Sequence, residues 1–147
     1  MWQELLKQLR SGDVKALARS ISLIENEQPG YELLLQNISS AGTKIIGITG
    51  PPGAGKSTLT DALIGYMIND GKKVAVICVD PSSPFNHGAV LGDRIRMSEW
   101  YTHPDVFIRS LATRGSTGGL HPKIIEITDL LKAFSFDHII IETVGVG

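Results

Sequence analysis

The residues best suited to chemistry lie between 50 and 58, where "GPPGAGKST" directly follows the apolar stretch "TKIIGIT". Gly50 to Ser57 satisfies G-x-x-x-x-G-K-S/T, the P-loop or Walker A pattern, between a predicted strand and a predicted helix, the context that pattern requires. Phosphate oxygens need several convergent N–H donors at close range, and glycine removes the side chains that would block the approach. Pro51 and Pro52 carry no N–H, so the donors fall to Gly53, Ala54, Gly55, Lys56, Ser57 and Thr58, while the prolines stiffen the loop entry. The Lys56 ammonium suits β- and γ-phosphate oxygens at the positive end of a helix. Ser57 can place its hydroxyl on Mg²⁺, with Thr58 beside it for an α-phosphate contact.

Such a loop works with acidic residues on neighbouring strand ends, which orient Mg²⁺ and the attacking water. Asp80 closes "VAVICVD", Glu142 closes the apolar run of "IIIETVGVG", and Asp93 lies in "LGDRIRM", a segment expected over the site. A capping aspartate at 80 and a solvated one at 93 are the plainer alternatives. Glu142 is different, because an ionised carboxylate ending a buried run is costly without a partner. The strand ends of a parallel sheet share one edge with the P-loop, so Asp80 and Glu142 should converge on Ser57. The expected metal set is Ser57, Asp80, Asp93 and Glu142, and the expected catalytic set Lys56, Asp93 and Glu142. Gly145, three residues after Glu142, has the acidic-x-x-Gly spacing that brings a glycine N–H to a γ-phosphate in switch proteins.

These side chains need a scaffold, and the apolar rhythm supplies one. "KIIGIT" (44–49), "KVAVICV" (73–79), "VFIRSL" (106–111) and "HIIIET" (138–143) read as strands, three of them almost continuously apolar, as when both faces are buried. Helical patterns fall at 56–70, about 88–101 and 120–134. This alternation predicts an α/β domain with a mostly parallel sheet flanked by helices. Before it, Trp2, Leu5, Leu6 and Leu9, then Val14, Leu17, Ala18, Ile21 and Ile24, then Tyr31, Leu34, Leu35 and Ile38 repeat at helical spacing. The expected organisation is a helical segment over 1–42 and a nucleotide-binding core over 43–147.

Composition narrows the partners. The 147 residues carry a formal net charge of −1 without a run of like charges, which argues against nucleic acid or a polybasic membrane contact. No apolar run approaches the ~20 residues needed to span a bilayer. Cys78, the one cysteine, cannot pair internally and lies in an apolar run, so it reads as a core thiol in a reducing, cytoplasmic setting. His87, His103, His121 and His138 share no metal-ligand spacing, and a zinc site is not expected. Trp2 and Trp100 read as packing anchors. "TRGSTGGL" lacks the P-loop lysine and reads either as a partner-contact loop or as a turn.

Taken in order, "GITGPPGAGKSTL", "VAVICVDPSSP", "GAVLGDRIRM", "ATRGSTGGL" and "IIIETVGVG" resemble the MeaB/ArgK family of GTPases, as does the preface "ALARSISLIEN". The resemblance covers nearly the whole chain. It implies a fold of the signal-recognition GTPase class, GTP as substrate with Mg²⁺, and a chaperone role toward adenosylcobalamin-dependent acyl-CoA mutases of the methylmalonyl-CoA mutase type. It also implies that Lys56 and Ser57 contact nucleotide and metal, that Asp80, Asp93 and Glu142 surround the metal, and that the 80–96 segment moves with Arg94 and Arg96 near it. Family members continue into an Asn-Lys-x-Asp-type guanine-reading motif and a C-terminal dimerisation arm. Neither is present by Gly147, so the C-terminal part of the usual domain is expected to be absent and a sheet edge exposed. Guanine preference and any homodimer rest on the resemblance. A P-loop kinase or ATPase acting on a small acceptor, with Arg109 and Arg114 as lid candidates, and a non-catalytic nucleotide-binding fragment are the competing readings.

Overall fold

The computed structural model describes residues 2–39, 42–50, 55–80, 98–112, 123–134 and 136–144. In chain order the elements are α1 (Trp2–Arg10), α2 (Val14–Glu25), α3 (Tyr31–Gln36), β1 (Lys44–Gly50), α4 (Lys56–Asn69), β2 (Val74–Asp80), α5 (Ser98–Tyr101), β3 (Val106–Ala112), α6 (Ile124–Ala133) and β4 (His138–Val144). The four expected strands are present within one or two residues at each end. Of the helix expected at about 88–101, only α5 falls among the described residues, and positions 120–122 of the last expected helix lie outside them.

The chain divides into two compact units, Met1–Thr43 with Lys123–Phe136, and Lys44–Pro122 with Asp137–Gly147. Among the described residues the elements of the first are all helices. Leu17, Ile21 and Ile24 of α2, Leu34 of α3, and Ile127, Leu130 and Leu131 of α6 are fully or almost fully buried. In α2 and α6 their spacing of three and four residues gives one apolar stripe per helix. Thus α6 groups with the N-terminal helices, although it lies in the second of the two segments expected from sequence. Asp13 caps α2: its Oδ1 accepts from the N–H groups of Lys15 at 2.9 Å and Ala16 at 3.3 Å. Asp13→Ala should therefore cost about 1 kcal/mol, read as a lower melting temperature of the intact protein with unchanged ligand binding. Lys123 pairs with Glu27 at 3.1 Å and lies 5.3 Å over the Tyr31 ring. The hydrogen bond to Glu27 holds its pKa above the ordinary lysine value.

The second unit is built on a four-stranded sheet in the order β1-β4-β2-β3, with all neighbours parallel. Two registers fix the geometry. Ile46 stands beside Ile140 and Ile140 beside Val76; one step on, Ile48 stands beside Glu142 and Glu142 beside Cys78. Strand side chains alternate between faces, so these two rows share a face. That face forms a core with Ile64 and Met67 of α4, joined by Val74, Val106 and the partly buried Leu63, Ile68 and Trp100. Cys78 is buried there, as a core thiol should be. β4 is paired on both sides, and the edge strands among the described residues are β1 and β3. Apolar Ile45 of β1 is accordingly 44% exposed.

Candidate functional site

The path from β1 into α4 passes Gly55, which precedes the helix with φ of 88°. This left-handed backbone admits glycine readily and strains other residues, so the sequence G-K meets a local requirement at the helix entry. From there α4 presents Lys56, Thr60, Ile64 and Met67 along one stripe at spacings of four, four and three. Its lower part, Ile64 and Met67, packs on the sheet. The helix therefore also aims Lys56 and Thr60 at the sheet, near its C-terminal edge.

Glu142 meets them. Two residues after the core residue Ile140, it lies on the same face of β4, beside Ile48 and Cys78. Its side chain is 4% exposed. Oε1 lies 3.8 Å from Lys56 Nζ, and Oε2 accepts a hydrogen bond from Thr60 Oγ1 at 2.7 Å. Thr60 Oγ1 is also 2.9 Å from the Lys56 carbonyl oxygen. At 3.8 Å the ion pair is loose, at the long end of charge pairing, so the ammonium is held near the carboxylate without being locked to it. The cluster thus sets a positive charge and a buried anionic oxygen side by side next to a helix N-terminus, an arrangement suited to a phosphate and a hard cation.

A second link reaches the same helix one residue further on. Trp100 of α5 donates its indole N–H to Asp61 Oδ1 at 2.6 Å, and its ring faces Gly65 and His103. Trp100 is a packing anchor with a polar tether, and it fixes to α4 the chain that follows residue 97.

Of the residues expected from sequence, Lys56 and Glu142 are brought together. Gly55 and Thr58 flank the same helix start, with Thr58 exposed. Ser57 occupies the first turn of α4, and Asp80 ends β2 one strand away from Glu142. Gly53, Ala54, Asp93, Arg94, Arg96, Arg114 and Gly145 lie outside the described residues. Among the described residues no group of three or more His, Cys, Asp and Glu gathers to hold a metal, and no helix is long and apolar enough to cross a membrane. Thr60 is the participant that the sequence reading missed. Its signal was present: it stands four residues after Lys56, hence on the same helix face.

The description "Methylmalonyl Co-A mutase-associated GTPase MeaB" matches residues 17–147. The chain belongs to the MeaB family. It is 50% identical over 146 residues to a protein of Pyrococcus horikoshii named as a candidate GTPase, covering 98% of this chain and 46% of that one. It is 39% identical over 150 residues to GTPase ArgK of Escherichia coli, covering 98% and 45%. A fused isobutyryl-CoA mutase of Geobacillus kaustophilus is 42% identical over 154 residues, which is 97% of this chain and 14% of that protein. The chain spans a little under half the length of the first two relatives.

Proposed function

We propose that this MeaB-family chain carries the nucleotide-binding core of a Mg²⁺-dependent GTPase whose hydrolysis resets a conformational switch for an adenosylcobalamin-dependent acyl-CoA mutase. The observation that carries the reading is the approach of Glu142 to Lys56, which sets a buried carboxylate beside the lysine of the P-loop. The GTPase names of the relatives favour guanine nucleotide and hydrolysis. The relative in which a similar region is fused to isobutyryl-CoA mutase favours a mutase as client. A cytoplasmic setting suits the single buried thiol of Cys78.

In this reading the backbone of 53–58 and the Lys56 ammonium hold the β- and γ-phosphates and offset the charge that develops as the terminal phosphoryl group leaves. A buried carboxylate such as Glu142 is the kind of oxygen donor that Mg²⁺, a hard cation, takes together with phosphate oxygens. Glu142 is the described carboxylate that would face it, with Ser57, Asp80 and Asp93 completing the proposed set. Bound there, the cation would neutralise charge on the β- and γ-phosphate oxygens. A bound phosphate would draw the Lys56 ammonium away from Glu142 and exchange their loose ion pair for charge-assisted bonds to the ligand. Gly145 would supply an N–H to the γ-phosphate and release it after hydrolysis.

The test is turnover by the intact protein with GTP and with ATP, with and without a cobalamin-dependent mutase. Phosphate release from GTP without any acceptor, slow alone and faster with the mutase, is the expected result. Turnover that requires a small-molecule acceptor would replace this reading with a kinase. Nucleotide binding without turnover under any of these conditions would replace it with a non-catalytic binding module.

A further inference from the structure

We infer that Thr60 is a positioning residue that decides which oxygen of Glu142 faces the phosphate site; the inference rests on the GTPase reading above. The argument is a proton count. A threonine hydroxyl has one hydrogen to donate. Thr60 Oγ1 has two acceptors within reach, Glu142 Oε2 at 2.7 Å and the Lys56 carbonyl at 2.9 Å. The Lys56 carbonyl is already the regular α-helical acceptor for the Thr60 N–H, four residues on. The carboxylate is buried beside the Lys56 ammonium, and hydrogen bonds to a carboxylate are charge-assisted and stronger. The proton therefore goes to Oε2.

Ser20 and Thr128 show what a purely helical hydroxyl does. Each is buried and donates to the carbonyl four residues earlier, Ala16 at 2.8 Å and Ile124 at 2.6 Å. Thr60 has the same helical back-bond geometry and is fully buried, but a carboxylate from another element has been brought closer than the carbonyl. With Oε2 occupied by the helix, Oε1, the oxygen near Lys56, is the one left open when phosphate draws the ammonium away. Thr60 in this way keeps the carboxylate from rotating its free oxygen toward the core, and it ties the orientation of β4's acid to the P-loop helix.

The experiment uses the intact protein and compares wild type, Thr60→Val, Thr60→Ala and Thr60→Ser, each alone and combined with Glu142→Gln. The readouts are melting temperature, affinity for a fluorescent guanine nucleotide in EDTA and in Mg²⁺, and GTP turnover. Loss of a residue that orients a metal-facing carboxylate weakens metal binding or activity by about 10–100-fold. Thr60→Val and Thr60→Ala should therefore lower the Mg²⁺-dependent gain in nucleotide affinity, and turnover, by about tenfold, with EDTA affinity unchanged and Thr60→Ser close to wild type. In the Glu142→Gln background the Thr60 effect should vanish, because the two residues act as one unit. Using both Val and Ala separates a packing fault, visible as a lowered melting temperature in one of them, from loss of the hydroxyl, common to both. An unaltered Mg²⁺ gain in Thr60→Val and Thr60→Ala would overturn the inference. So would an equal loss in Thr60→Ser, or an effect that persists undiminished with Glu142→Gln. If the wild-type protein itself binds no guanine nucleotide, the GTPase reading fails first and this inference with it.

Discussion

Lys56→Ala should reduce GTP turnover by about 10³-fold and weaken nucleotide binding at least tenfold, measured by single-turnover hydrolysis and fluorescence titration on the intact protein. Phosphoryl transfer asks the protein chiefly for alignment and charge, and Lys56 is the cation at the start of α4 that the described residues bring to the site. Backbone N–H groups remain in the variant, so some affinity should survive while turnover falls further. The substitution also affects the fold. Glu142, 4% exposed, would keep Thr60 as partner but lose its counter-charge. Breaking a tight buried pair costs several kcal/mol; at 3.8 Å the pair is loose, so a loss of about 1–2 kcal/mol in stability is expected, seen as a lower melting temperature without nucleotide. A variant that binds and hydrolyses nucleotide as well as wild type would remove the P-loop from the mechanism.

Glu142→Gln isolates the charge from the shape. Glutamine keeps the volume and an oxygen that Thr60 can still reach, but it presents no anionic oxygen to a cation. Turnover in Mg²⁺ should fall by about 10²-fold or more, because the carboxylate proposed to face the metal is lost. Nucleotide affinity in EDTA should move the other way or stay level. In the wild-type protein the Lys56 ammonium lies beside Glu142, and glutamine should release it to the phosphates. This opposite sign is the discriminating feature. Were Glu142 only a structural ion-pair partner, Mg²⁺ dependence would be unaltered and only stability would change, which a thermal melt and a Mg²⁺ titration would distinguish.

Much of the fold was legible because parallel strands buried on both faces leave an almost continuous apolar run, and because glycine and lysine at a helix entry are hard to place otherwise. "KIIGIT", "VAVICV" and "HIIIET" could be read for that reason. Strand order could not be read. The insertion of β4 between β1 and β2 joins residues more than sixty positions apart, and no local pattern records such a pairing. The pairing of Thr60 with Glu142 was hidden for a similar reason, because it spans two distant segments of the chain. In "GKSTLTDAL" Thr60 is one more hydroxyl on a helix, and its helical spacing from Lys56 says only that the two share a face.

The sequence by itself determined the features that point to a phosphate ligand. The G-x-x-x-x-G-K-S spacing, the left-handed turn that Gly55 accepts, and an acid ending a buried run are all local properties of the chain, set by backbone sterics and the cost of burying charge. Only the tertiary structure decided which groups meet. Parallel pairing of β4 with β1 carries Glu142 to the face that α4 covers, and the packing of Ile64 and Met67 turns Lys56 and Thr60 toward it. The physical reason is that a side chain's partners across a sheet depend on register and crossover, which follow from burial of the whole core rather than from any short stretch of residues.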